Sequence, residues 1–321
     1  MDPPKVVARL REAGCVFAED EARILMEAAQ GSVSDQESSL TELIARRVAG
    51  EPLEQIVGWV EFAGQRLPVV PGVFVPRQRT ALLAERSILA VQAATDTVQT
   101  TGSAVQAANA VRDVTDATEN GRPARFLEAF CGVGAVATTV ASAIPGTQIH
   151  LGDHDETALR WAQDNVGPCA QAHLLDCLVG LPQALSGSFD VISAVPPYVP
   201  DSAAQFLPRE ASEHEPATAL FGGVDGLDLV RRLVSESREW LAPGGVVLIE
   251  LGAAQYTNAA EFAEAQGFTA TSTLGEDEQS VVLELQLNER RNPMNENNRW
   301  PEVARSCTDA RRRHFWPAVV G

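Results

Sequence analysis

The chain has 321 residues, 45% of them hydrophobic, which suffices for the core of one large or two modest domains and excludes wholesale disorder. Lys and Arg number 25 against 43 Asp and Glu, and the net charge of −18 repels phosphates, which disfavours a whole-domain DNA or RNA binder while leaving room for a local basic patch. No apolar run reaches the roughly 18 residues that span a bilayer, the opening Met1-Asp2-Pro3-Pro4-Lys5 leads into charged residues, and the five cysteines form no CxxC pair. The expectation is a soluble protein of the reducing cytoplasm with no membrane partner, no zinc knuckle and no disulfide framework.

Residues 1–50 read as helices only. Val6, Val7, Leu10 and Ala13, then Ala22, Leu25, Met26 and Ala29, recur at helical spacing, Gly14 and Gly31 mark stops, and another helix begins near Ser38. So short a bundle must pack on something else. Over 51–80, Phe62, Leu67, Val69 and Val70 among Gly64, Pro71, Gly72 and Pro76 predict a β-hairpin connection. A helix follows from about Thr80. Within 81–124, the aromatic-free stretch from 91 is rich in Ala, Gln, Thr and Asp; it reads as a solvated connection, partly helical at Val105, Ala108 and Val111.

From 125 to 287 strands and helices alternate. Strands are predicted over 125–130, 148–151, 172–175, 189–194 and 246–251, with helices over 134–143, 156–165, 227–241 and 253–265. A closing strand pair lies near 268–274 and 280–287. This pattern predicts an α/β fold: a mostly parallel sheet covered by helices, with the last hairpin supplying an antiparallel edge. Residues 288–321 carry seven Arg against four acids and show no periodicity, the pattern of a disordered tail; an RNA-contacting arm is the alternative.

The first βα turn reads Phe126-Leu127-Glu128-Ala129-Phe130-Cys131-Gly132-Val133-Gly134. Gly132 and Gly134 stand where a strand hands over to a helix, so the backbone can approach a ligand and expose helix-terminal N–H groups. Asp153 ends the next strand, 19 residues after Gly134, where a carboxylate accepts hydrogen bonds from both ribose hydroxyls; a plain helix N-cap is the competing reading. Asp176 ends the strand after that. Glu128, Asp153 and Asp176 would then form an acidic rim, which suits a cationic adenosine ligand, S-adenosylmethionine, better than a dinucleotide with its anionic pyrophosphate. Later, Val195-Pro196-Pro197-Tyr198 follows an apolar strand that the two prolines cannot continue, making a rigid platform at the sheet's carboxyl edge.

Several separated stretches in one order resemble the HemK/PrmC family of class I S-adenosylmethionine-dependent, protein-(glutamine-N5) methyltransferases. They are Arg47-Val48-Ala49-Gly50-Glu51-Pro52-Leu53, Pro71 to Arg77, Pro196-Pro197-Tyr198, Glu213-His214-Glu215-Pro216, Gly222-Gly223-Val224-Asp225-Gly226-Leu227 and Pro243-Gly244-Gly245. The resemblance spans roughly residues 5–287. It implies a Rossmann-like methyltransferase sheet, a helical substrate-docking domain over 1–50, and S-adenosylmethionine as cofactor held by Glu128, Phe130, Gly132, Gly134, Asp153 and Asp176. The partner it implies is a protein substrate, a peptide-chain release factor or ribosomal protein. In the family an Asn-Pro-Pro-Tyr motif holds the glutamine amide through the Asn oxygen and the first Pro carbonyl, with the Tyr packing the amide in place, so Val195, Pro196, Pro197 and Tyr198 are the corresponding residues here.

Three positions depart from that pattern: Val195 replaces the Asn, Phe130 replaces a small residue, and Val133 replaces a Ser. Losing one acceptor for a buried amide donor costs about 1–3 kcal/mol, or roughly 5- to 150-fold. The departures leave open a weakly active or non-catalytic S-adenosylmethionine-binding paralogue, and a nucleic-acid amino-methyltransferase is disfavoured by the charge. Arg77 is expected to order its loop and His214 to be a solvated loop histidine. His150, His154 and His173 show no metal-ligand spacing.

Overall fold

The computed structural model describes residues 2–30, 36–109 and 122–288. The helical hints at Val111 and the basic tail lie outside the described residues, apart from Asn288. Four helices open the chain: α1 (Pro3–Glu12), α2 (Ala18–Gln30), α3 (Gln36–Val48) and α4 (Leu53–Val57). Pro3 and Pro4 occupy the first turn of α1, where a missing N–H costs nothing and the fixed φ favours the helix. Val6 and Leu10, one turn apart, join Ala22, Leu25, Ile44 and Ile56 in a small core of their own. The short helix α4 was not predicted; it is bounded by Pro52 and a left-handed Gly58.

The hairpin follows as β1 (Trp59–Phe62) and β2 (Gln65–Pro68), paired antiparallel. Its inward residues Val60, Phe62 and Leu67 are buried in the core beneath the large sheet, so it belongs to that core by packing. Helix α5 runs from Ala81 to Asn109. The polar stretch from 91 to 109, expected as a largely solvated connection, is thus continuous helix. Ala, Gln and Thr without Gly until 102 or Pro until 123 do not interrupt a helix already nucleated on Leu83 and Val91 of the core.

The large domain comprises β3 (Arg125–Ala129), α6 (Ala135–Ala143), β4 (Gln148–Asp153), α7 (Glu156–Val166), β5 (Gln171–Leu174), β6 (Phe189–Ala194), α8 (Arg209–His214), α9 (Asp228–Trp240), β7 (Leu241–Gly252), α10 (Tyr256–Ala265), β8 (Phe268–Leu274) and β9 (Ser280–Leu287). The seven strands lie in the order β5-β4-β3-β6-β7-β9-β8. All neighbours from β5 to β7 run parallel, and β9 is antiparallel to both β7 and β8. The closing hairpin takes the sheet edge as expected, with β8 outermost. The sheet is the mostly parallel, Rossmann-like one that the resemblance implied.

Two cores flank the sheet. Phe126, Val191 and Leu248 face one side with α5, α6 and α7; Leu127, Ile192, Ala194 and Ile249 face the other with α9 and α10. β6 is buried at every residue, as a central parallel strand must be when helices cover both faces. The strand order reverses direction between β3 and β6, and the crevice outside the carboxyl ends there is where such sheets bind ligands.

Candidate active site

After β3 the chain turns sharply. Phe130 adopts φ 55°, a left-handed conformation unfavourable for a bulky side chain, at a position where the family resemblance calls for a small residue. Gly134, at φ 74°, begins α6. A Cβ there would stand 3.0 Å from the Cβ of Ala162 in α7, so glycine lets the two helices close on each other. Glu128 does not reach the rim. Its carboxylate turns under the loop and accepts from the Val136 and Ala137 N–H groups at 3.3 and 2.7 Å, bracing the start of α6. Burial pushes this carboxyl up to about 8, against the pull of those two donors.

Asp153 ends β4 nine-tenths buried. Its Oδ2 accepts from Gly132 N at 2.9 Å and its Oδ1 from Asp155 N at 3.0 Å, with His154 Nδ1 at 3.2 Å. The N-cap of α7 is Asp155, whose side chain accepts from Thr157 N at 2.7 Å, so Asp153 is not the cap. It ties the end of β4 to the glycine turn and keeps lone pairs for a ligand. Asp176 is mostly exposed and pairs with Arg232 at 2.5 Å, which holds its carboxyl below the usual range.

The platform leaves β6 at Val195 and is fixed from below by glycine. Gly226 lies at φ 76°, and a Cβ there would run into the Tyr198 carbonyl oxygen. Gln255 Nε2 bonds that same oxygen at 2.9 Å and the Asp225 carbonyl at 3.0 Å. Val199 N donates to Leu220 O at 2.9 Å, and Gly222 N returns a bond to Val199 O at 3.0 Å. The Gly-Gly-Val-Asp-Gly stretch is therefore the seat of the Pro-Pro-Tyr stretch. Tyr198 donates its hydroxyl to Glu250 Oε1 at 3.3 Å; burial and that carboxylate push the phenol up to about 12. Among the described residues none donates to the Pro196 carbonyl, which is free to accept.

A cleft of about 300 Å³ opens at the carboxyl ends of β3 to β6. Phe130, Asp153, Asp176 and Pro197 line it, so the cavity runs from the acidic rim to one residue of the platform. Val195, Pro196, Tyr198, Gly132, Gly134 and Glu128 are not among its lining residues. Leu175, Phe221 and Leu229 supply an apolar wall. Sequence reasoning assigned no role to these three, nor to Gln255, Arg79 and Glu250; Phe221 adjoins the quoted Gly222-Gly223 motif, which was the available signal.

The loop between β6 and α9 is held from the helical bundle. Arg47 pairs with Glu21 at 2.6 Å and with Glu210 at 2.9 Å, and Arg77 reaches both oxygens of buried Glu215 at 2.8 and 2.7 Å. Arg77 thus orders its loop. His214 is not solvated as expected: its Nε2 is buried and has no partner among the described residues.

No family model matches the chain. Among curated proteins it is 34% identical over 218 residues to a release factor glutamine methyltransferase from Streptomyces coelicolor, covering 68% of each chain. It is 32% identical over 269 residues to one from Bradyrhizobium diazoefficiens, covering 79% of this chain and 82% of that one. A 4-amino-L-phenylalanine/4-methylamino-L-phenylalanine methyltransferase from Streptomyces pristinaespiralis is 30% identical over 226 residues, 70% and 69% of the two chains. S-adenosylmethionine fits the cleft on its own chemistry. A buried carboxylate with spare lone pairs suits ribose hydroxyls, an apolar wall suits adenine, and acidic side chains with no lining Lys or Arg suit a sulfonium. The chain belongs to the release factor glutamine methyltransferase family and is a methyltransferase whose cofactor is S-adenosylmethionine.

Proposed function

We propose that the protein methylates the side-chain amide nitrogen of a glutamine in a protein substrate, a peptide-chain release factor. The observation that carries this reading is the cleft that reaches from Asp153 to Pro197, with Pro196 and Tyr198 adjoining Pro197 in the chain. Bound S-adenosylmethionine supplies an electrophilic methyl group on a sulfonium. Asp153 holds the ribose, and Asp176, its charge compensated by Arg232, lies on the same wall. The Pro196 carbonyl accepts one amide N–H, and the Tyr198 ring packs the amide. An amide nitrogen is a poor nucleophile because its lone pair is delocalised, so orientation and electrostatic fit do most of the work.

Val195 weakens this arrangement, since valine accepts no hydrogen bond. It favours a second reading: a paralogue that binds S-adenosylmethionine but transfers methyl weakly or not at all. The two readings separate when purified protein and its Val195→Asn variant are each incubated with radiolabelled S-adenosylmethionine and a release factor. Label on the release factor from both supports the first reading; label from the variant alone supports the second. Silence from both, with cofactor bound, removes glutamine of a release factor as the acceptor.

A further inference from the structure

Glu250 is a buried acid to which neither the cofactor rim nor the amide contacts assign a task. It lies in β7, two residues before the strand's end, with 2% of its side chain exposed. Its Oε1 takes the Tyr198 hydroxyl and faces Arg79 Nε at 3.6 Å. Thr80 and Arg79 also stand as hydrogen-bond donors beside the carboxyl, but none of these groups meets Oε2 in hydrogen-bond geometry, and that oxygen is buried without a partner among the described residues. Such an oxygen is costly to leave unmatched.

The sheet register identifies its neighbour. Ala194 pairs with Ile249 as the last pair between β6 and β7; continuing that register by one residue would set Val195 beside Glu250. Side chains alternate faces along a strand. Val191 and Leu248 point into one core, Ala194 and Ile249 into the other, and Val195 packs against the first. Glu250, one residue beyond Ile249, faces that same side. The carboxyl group is thus on the same face of the sheet as the side chain that replaces the family's Asn.

We propose that Glu250 is the positioning residue of the acceptor platform: Oε1 holds the Tyr198 hydroxyl, and Oε2 is the seat for an N–H donor carried at position 195. A carboxamide there donates its NH2 to Oε2, and this aims its own oxygen at the acceptor nitrogen. Val195 fills the space and makes neither bond, so in this chain Glu250 orients Tyr198 alone. The proposal rests on the glutamine-amide reading of the platform.

The test is a double-mutant cycle of Val195→Asn and Glu250→Met in the full-length chain. It is read by urea unfolding and by methyl transfer to a release factor, with the KM for S-adenosylmethionine measured alongside. Coupling in the unfolding equilibrium constant is expected to be about tenfold or more. Val195→Asn should raise kcat by about tenfold in the presence of Glu250 and by less than about twofold in its absence, with KM for the cofactor unchanged. If Glu250→Met does not fold, Glu250→Leu completes the cycle, with Val195→Asn again gaining little in kcat because no acceptor is left. Additive unfolding effects overturn the proposal whatever the activity does. A kcat gain that survives loss of the carboxylate overturns the positioning role. Coupled unfolding with no methylation by any variant leaves the contact standing and overturns the glutamine reading instead.

Discussion

At the residue scale, two buried ionisable groups give stability opposite slopes with pH. His150 is fully buried, stacked on His173 and edge-on to Phe189, and burial lowers its imidazole to about 4. In the unfolded chain it titrates near 6.5, so the unfolded state binds the extra proton between the two values. Its contribution is present above about pH 6.5 and lost as pH falls toward 4, by about 3 kcal/mol at most. Glu128 runs the other way. Its folded pKa is raised to about 8, so its contribution is present below the unfolded carboxylate range and is lost as pH rises through 8. Urea unfolding between pH 4 and 8 should show His150→Leu flattening the acid limb and Glu128→Gln the alkaline one. Parallel curves for wild type and variant would contradict either assignment.

At the element scale, the loop that lines the cleft at Thr218 and Phe221 is anchored on a different part of the fold. α8 hangs on Arg47 of α3, and Glu215 hangs on Arg77. Arg47→Met strands Glu21, which is 8% exposed, and removes the tie to Glu210. Breaking one side of a buried pair costs about 3–5 kcal/mol, discounted here toward the lower figure because Glu210 is partly exposed. The measurement is urea unfolding together with hydrogen exchange over 209–215, and faster exchange there is expected. Arg47→Lys should recover only part of the loss, because an ammonium lacks the two-pronged fork. These contacts explain how far the sequence could be read. β3, β4, β6 and the closing hairpin were legible because their apolar runs end at Gly, Pro or Asp. α4 and α8 were not, being too short for periodicity and each starting directly after a proline, Pro52 and Pro208. The 91–109 part of α5 was misjudged from its polar composition, although nothing in it breaks a helix. Of the candidate site, the glycine turn, Asp153 and the platform could be named from motif spacing. The inward turn of Glu128 and the meeting of Arg79, Tyr198 and Glu250 depend on packing between distant segments, and no local pattern carries that.

At the scale of the whole molecule, the sheet places charge and platform where a methyl donor needs them. The order reversal between β3 and β6 opens the cleft, Asp153 closes the glycine turn behind it, and the glycines at 222 and 226 bring the platform to its edge. Among the described residues no helix is long and apolar enough to cross a membrane. The net charge of −18 adds a long-range attraction for a cationic cofactor, which salt screens beyond about 10 Å. The most direct test is calorimetric titration of the intact protein with S-adenosylmethionine, beside Asp153→Asn and Glu128→Gln. The account predicts binding of one cofactor per chain, weakened roughly tenfold or more by Asp153→Asn, which loses a charge-assisted acceptor for ribose, and little changed by Glu128→Gln. No heat of binding, or binding indifferent to Asp153, would contradict it.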